Sequence, residues 1–366
     1  MPSAREHLER LAARPRPAGS PAERDARDWC RRSLAACGFA VAAEPFEYSA
    51  IPGRAATPAL GVAGIAVVCA GARAAWDGHP WAAAIVLAAG GACVATAVAW
   101  LARVAVTRLP WGRRDGINLV ATRGAGAAPR LWLVAHLDSK SQPVPILVRA
   151  TGIIALMLVW IAALGTAIAQ ATLGGSPPWP WIAALGLVAG APVAASVVGV
   201  QSPGALDDAS GVATVLRAAE LAWPETPLGI LLTSGEEFGL AGARAWVRAR
   251  GYPATCAINV DVVDDAGPVR VAYTGRRPTA LLDRLAGVDA GERVRVARLV
   301  PGVLVDAVAL TDGGWQAATV SKGTWRTLAR IHTPNDNLSA LRGDGVEAVA
   351  RWIAVFVSAP NDVPET

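Results

Sequence analysis

Five short segments hold most of the metal-binding chemistry this chain can offer: Ala135-His136-Leu137-Asp138, Gly204-Ala205-Leu206-Asp207-Asp208-Ala209-Ser210-Gly211, Gly235-Glu236-Glu237, Asn259-Val260-Asp261 and Ile331-His332-Thr333. Together they supply two imidazoles and several carboxylates. That is enough to hold two zinc ions and leave one carboxylate as a general base, the inventory of metal-assisted hydrolysis. The chain has four histidines, and the other two, His7 and His79, lie outside the stretch containing the carboxylate motifs. A zinc site with histidine ligands in the soluble part must therefore draw on His136 and His332.

The surrounding elements decide where these groups point. Leu131 to Ala135 reads as a buried strand, so His136 emerges at a sheet edge, with Asp138 placed to accept its other ring N–H. The Gly204–Gly211 segment reads as a tight turn running into a helix over Gly211–Leu221. One of its aspartates can bridge two metals, an oxygen to each, while the other serves as an ordinary N-cap. Leu228 to Thr233 is a strand leading to Gly235, after which Glu236 and Glu237 point different ways from an irregular turn. Asp261 ends the strand Ala257–Val262, and His332 stands in a loop. Further strands are expected over Gly38–Tyr48 and Asn118–Thr122. Helices are expected over residues 4–37, broken near Pro15-Arg16-Pro17, and over Leu240–Arg250 and Val346–Val357. Strands alternating with helices predict a mostly parallel sheet with ligands gathered at strand ends.

Composition separates this α/β texture from a second one. The 366 residues are 53% hydrophobic and only 17% charged, whereas a soluble domain carries about a quarter charged residues. Four runs absorb the excess: Ala55–Ala72, Trp81–Ala102, Ala150–Leu173 and Trp181–Val200 carry no charge at all. Each is near the roughly 20 residues that cross a bilayer. Short linkers pair them, and Trp76, Trp81, Trp179 and Trp181 flank the linkers as interfacial anchors would. Two transmembrane hairpins are expected, over residues 51–103 and 146–200, interrupting a discontinuous catalytic domain of residues 1–50, 104–145 and 201–366.

The net charge of +5 is almost wholly arginine, with Lys140 and Lys322 the only lysines. No arginine-rich stretch has the clustered, aromatic-flanked form of a nucleic-acid surface. Five unframed cysteines predict no disulfide scaffold, and residues 1–32 do not read as a signal peptide. Arg54, Arg103, Arg108, Arg113, Arg114, Lys140 and Arg149 flank the catalytic-side ends of the runs, against Arg73 and Asp77 at the tips. The positive-inside rule then places the catalytic domain in the cytoplasm of a multi-pass protein, with a bacterial inner membrane expected.

The ordered set of motifs resembles the co-catalytic di-zinc exopeptidase family: leucyl-type zinc aminopeptidases, with glutamate carboxypeptidases, glutaminyl cyclases and transferrin-receptor ectodomains as relatives. Arg14-Pro15-Arg16-Pro17-Ala18-Gly19-Ser20 and Glu236-Glu237-Phe238-Gly239-Leu240-Ala241-Gly242 share the likeness. The resemblance implies a three-layer zinc-exopeptidase fold. It implies one zinc held by His136, Asp207 and Asp261, and a second by Asp207, Glu237 and His332, with Asp207 bridging and Asp208 where asparagine is common. Glu236 matches the general base and Asp138 the residue that orients His136. Co²⁺ or Mn²⁺ also suits such ligands. The expected activity is removal of N-terminal residues from peptides. The alternatives are a cyclase-like acyl transfer, or a silent receptor or scaffold on the same fold. The resemblance leaves oligomeric partners unspecified.

Overall fold

The two textures fold into two units. The computed structural model describes residues 2–124, 129–250, 256–291 and 293–359. One unit joins residues 1–49, 112–141 and 200–366, and the other residues 50–111 and 142–199.

The first unit is built on a sheet of eight described strands: β1 (Ala40–Ser49), β2 (Arg113–Arg123), β3 (Leu131–His136), β4 (Leu228–Thr233), β5 (Cys256–Val263), β6 (Val269–Tyr273), β7 (Arg295–Arg298) and β8 (Gln316–Lys322). Their order is β1-β2-β4-β3-β5-β8-β6-β7. The central run β4-β3-β5-β8 is parallel, and β1, β2 and β6 add antiparallel pairs outside it. β3 and β4 are buried along their whole length, as strands covered on both faces must be. Helices Ser210–Leu221 and Asp344–Ser358 pack on one face, and Ala241–Arg250 and Asp306–Asp312 on the other, giving three layers. On the second face Trp246 stacks edge-on against Trp132 at 4.8 Å and tilts against Trp315 at 4.9 Å, fixing the helix over β3. The parallel arrangement matters for chemistry because it brings the C-terminal ends of β3, β4 and β5 to one edge, with His136 opposite Thr233 in register.

β6, β7 and β8 and the helices between them go beyond the elements expected from sequence. β8 reads Gln-Ala-Ala-Thr-Val-Ser-Lys, with too few large apolar residues to announce a core strand, and β7 is exposed throughout.

The second unit holds the apolar runs. Helices Ile51–Trp76, Pro80–Arg108 and Ile146–Leu173 are long and apolar enough to cross a membrane. They outrun the charge-free segments at their ends, taking in Arg54, Arg73 and Arg149, whose long stems let the charge reach past a helix end. The helix Pro80–Arg108 lies within this unit, which runs on to Trp111. The fourth run differs from expectation: its helix spans Trp179–Ala194, 16 residues, and stops within a turn of Pro192. That proline has no N–H for the ladder, and just past the helix end its carbonyl accepts from Ser196 Oγ. The helix is therefore about 24 Å long at 1.5 Å per residue, short of a full span by itself.

Within this unit small residues let helices cross closely: Gly61 lies against the backbone of Ala194, and Gly190 against Ile65. Trp160 Nε1 donates to the carbonyl of Leu87, and Trp179 Nε1 to Gln170 Oε1. The outward faces remain apolar, with Ile85, Ile154, Leu158, Ile161 and Val188 exposed.

Candidate metal centre

All the residues singled out from the sequence converge at the C-terminal edge of the sheet in the first unit. Asp207 occupies the centre. Its Oδ1 lies 3.0 Å from His136 Nε2 and its Oδ2 lies 2.9 Å from His332 Nε2. Two groups of ligand atoms form around it, His136–Glu236–Asp261 and Asp207–Glu237–His332, each with all its atoms within 4.8 Å of one another.

Local chemistry explains each placement. His136 Nδ1 lies 3.0 Å from the carbonyl of Asp138. A carbonyl only accepts, so Nδ1 carries the proton and Nε2 is left facing the cluster with its lone pair. The Asp138 carboxylate is 3.7 Å from that nitrogen. It accepts instead from the backbone N–H groups of Glu236 and Glu237, at 3.1 and 3.3 Å. Asp138 thus orients the histidine through its main chain and the glutamate turn through its side chain, a division the sequence did not suggest.

Asp208 is fully buried, its Oδ1 accepting from the N–H of Gly211 and Val262 and its Oδ2 from the N–H of His136. It ties three of the five motifs together. Gly211 is glycine because a Cβ there would sit 2.2 Å from Asp208 Oδ1 and 2.4 Å from the carbonyl of Val260. Asp261 stands where the β5–β8 register shifts between Val260 and Val263. The next residue, Val262, has φ +64°, a left-handed backbone that costs a β-branched residue energy. Asp208 and Ser210 hold that turn, the serine Oγ accepting from Val263 N–H at 2.7 Å. His332 is also left-handed, at φ 61°.

Four further residues enter the site. Lys140 Nζ pairs with Glu237 Oε2 at 2.5 Å, leaving Oε1 3.2 Å from His332. It is one of two lysines in the chain and lies two residues after Asp138, which is the mark it carries in the sequence. Asp336 accepts from Leu206 N–H at 2.6 Å and Asp207 N–H at 3.3 Å, joining the His332 loop to the aspartate turn. Asp306 accepts from Thr233 Oγ1 at the end of β4, and no motif marked it. Arg16 lies buried beside the loops of His136 and Asp207.

The electrostatics fit cations. Asp138, Asp207, Asp208, Glu236, Glu237 and Asp261 face two imidazoles and Lys140, an excess of buried negative charge that needs compensation. Burial opposes the charged form of Asp207, yet the His136 and His332 hydrogen bonds prevail and hold it well below the usual carboxylate range. Burial likewise opposes Glu237, but Lys140 and His332 bring it to about 2. Glu236 is pushed well up by burial, with His136 opposing. Asp261 rises to about 7 through burial and the nearby charge of Asp207. Burial lowers His136, but Glu236 and the other carboxylates outweigh it and raise the imidazole well above its ordinary value. Mixed imidazole and carboxylate donors at these separations suit zinc.

A pH effect follows. Asp261 and Asp336 both titrate near 7 in the fold, against 3.8 for a free aspartate, so the folded chain holds protons the unfolded chain has released. Stability without metal is therefore expected to fall as pH rises through that window. The raised histidines act in the same direction, while Asp207 and Glu237 finish ionising below it. Thermal unfolding at pH 5 and pH 8, with chelator and with excess zinc, measures this. Zinc is expected to abolish or reverse the difference, and an unchanged pH difference would contradict the cation fit.

Residues 188–357 match peptidase family M28. A comparison with curated proteins gives no match. Among solved structures the chain is similar to an aminopeptidase from Aneurinibacillus sp. strain AM-1, at 16% identity and TM-score 0.52, covering 97% of this chain and 92% of that one. It is similar to the Porphyromonas gingivalis glutaminyl cyclase, at 15% identity and TM-score 0.54, covering 97% and 96%. It is also similar to BSAP, a zinc aminopeptidase from Bacillus subtilis, at 12% identity and TM-score 0.52, covering 96% and 93%. At these identities the likeness speaks for the fold, and the family match speaks for the segment holding Asp207, Glu236, Glu237, Asp261 and His332. Its ordered motifs, the M28 match over residues 188–357 and this shared fold make the chain similar to zinc aminopeptidases and glutaminyl cyclases.

Proposed function

We propose that the protein is a membrane-anchored zinc aminopeptidase that hydrolyses N-terminal residues from peptides. The observation that carries this reading is Asp207 held between two imidazoles, one oxygen to each, with Asp261 grouped with His136 and Glu237 with His332. His136, Asp207 and Asp261 would hold one zinc, and Asp207, Glu237 and His332 the other. Zinc bound there supplies Lewis acidity, which polarises a carbonyl and makes water a better nucleophile near neutral pH. The chain's own residues manage the proton. Glu236 accepts it from the attacking water and returns it to the leaving amine. Burial raises its pKa, which strengthens the carboxylate as a proton acceptor. Asp138, bonded to the N–H of Glu236, keeps that carboxylate in place.

The likeness to glutaminyl cyclases supports a second reading, acyl transfer within an N-terminal glutaminyl peptide. That reaction needs one metal and no attacking water, so two complete donor groups favour hydrolysis. Detergent-purified protein incubated with aminoacyl amides, peptides and a glutaminyl peptide, with and without chelator, separates the two. Release of free N-terminal residues that stops with chelator supports the aminopeptidase. Ammonia with a cyclised product would replace it. Inertness in both assays, with no metal bound, would leave a scaffold.

The membrane reading is supported by the long apolar helices and their exposed apolar faces. His136 precedes two apolar helices and Asp207 follows them, yet the two side chains meet at 3.0 Å. On this reading the chain leaves and re-enters on one side of the bilayer, with the short Trp179–Ala194 helix and the residues after it serving as the return. The flanking arginines support a cytoplasmic catalytic side. An impermeant thiol probe on intact cells is expected to label Gly78→Cys and Ser176→Cys above the native background, and to spare Glu225→Cys. The opposite pattern would put the site outside.

A further inference from the structure

The Arg14–Ser20 segment contains the most deeply buried guanidinium among the described residues: Arg16 is 1% exposed. Its side chain donates only to main-chain carbonyls. Nε reaches Leu137 at 2.9 Å, Nη1 reaches Leu11 at 2.5 Å and Pro203 at 2.6 Å, and Nη2 reaches Gly204 at 3.1 Å. Leu137 lies between His136 and Asp138, and Gly204 opens the turn that presents Asp207. The main chain of Arg16 repeats the link. Its N–H donates to Ser139 Oγ, its carbonyl accepts from Ser139 N–H, and Ser139 Oγ in turn donates to the carbonyl of Ser202. Gly204 leaves no slack on the other side: at φ +62°, a Cβ there would meet the Asp207 carbonyl at 2.4 Å and Ser139 Cβ at 2.6 Å.

We propose that Arg16 is a positioning residue, a buried strut that fixes the separation of the His136 loop from the Asp207 turn and so the spacing between the two donor groups. The inference rests on the two-metal reading of the cluster. A fork of N–H donors is what the task requires, because one rigid plane addresses carbonyls from both loops at once. The charge itself is tolerated because Asp336, Asp208 and Asp138 lie close enough to act on it. Neither loop loses its own ligands if Arg16 is removed. What changes is the distance across Asp207.

The test uses full-length, detergent-solubilised protein stripped of metal and titrated with Co²⁺, read by electron paramagnetic resonance and steady-state kinetics. The wild type is expected to bind two ions as a spin-coupled pair. Arg16→Met is expected to bind two uncoupled ions, with kcat down about 100-fold, the usual consequence of an ångström-scale misplacement, and KM within about threefold. Arg16→Lys keeps the charge without the fork and is expected to behave like Arg16→Met; recovery by lysine would reduce Arg16 to a counter-charge and overturn the strut. An unchanged coupled signal and kcat in Arg16→Met would overturn it too, as would a rise in KM alone. If Arg16→Met does not fold, Ser139→Ala removes one arm of the same strut, and unchanged coupling there counts against the proposal. A wild type that binds no cobalt would remove the metal reading itself, and the strut with it.

Discussion

Glu236→Gln is expected to lower kcat by roughly two to four orders of magnitude while leaving the fold and the bound metal in place. Glutamine has the same shape and can still fill the space beside His136, whose Nε2 lies 3.9 Å from Glu236 Oε2. It cannot accept a proton from water. The backbone anchor to Asp138 is untouched, because it runs through the main-chain N–H of residue 236. Steady-state kinetics paired with metal analysis decides between two roles, since Glu236 also lies within ligand reach of His136 and Asp261. Retained metal with lost turnover identifies a base. Loss of one metal equivalent would identify a ligand, and near-normal turnover would send the search for the base elsewhere.

The second large effect concerns Asp207. Asp207→Asn is expected to deplete both metals together after dialysis, because a neutral amide offers one oxygen where two are used, at 3.0 and 2.9 Å from the two imidazoles. The neighbouring Asp208→Asn should keep both metals. There the lost acceptor serves a backbone N–H, and the cost is about 1–3 kcal/mol of stability, the usual penalty for a buried unpaired donor. Metal content and thermal unfolding measured on both variants check the assignment. Depletion in Asp208→Asn and not in Asp207→Asn would shift the bridging position by one residue.

Much of this geometry could be read from sequence because parallel strands put their last residues at one edge. His136, Thr233 and Asp261 follow or end runs such as Leu131–Ala135 and Leu228–Thr233 whose hydrophobicity leaves little doubt about burial. The apolar helices were legible for a similar reason, since uninterrupted charge-free runs have few other homes. What stayed hidden depends on contacts between segments far apart in the chain. Asp138 looked like a partner for the imidazole of His136, yet its carboxylate serves N–H groups nearly a hundred residues on. Arg16 sits 123 residues from Ser139 and bonds through its main chain, which no residue pattern records. β8 was missed because alanines and a threonine are buried there by their neighbours rather than by their own hydrophobicity. The end of the fourth apolar helix turned on one proline inside an otherwise uniform run.

The threading of the catalytic unit through three stretches of chain bears on when the protein becomes active during its own synthesis. His136 and Asp138 leave the ribosome before the second pair of apolar helices, and Asp207, Glu236, Glu237, Asp261 and His332 all leave it after. On the membrane reading, no nascent chain holds a complete donor group until both pairs have been made and inserted. A chain ordered in this way gains its full set of donors only after its apolar helices have been made. A cut in the linker of the second pair cannot set free a working soluble fragment, because His136 and Asp138 stay on one side of it and the remaining donors on the other. Activity and insertion are then one event.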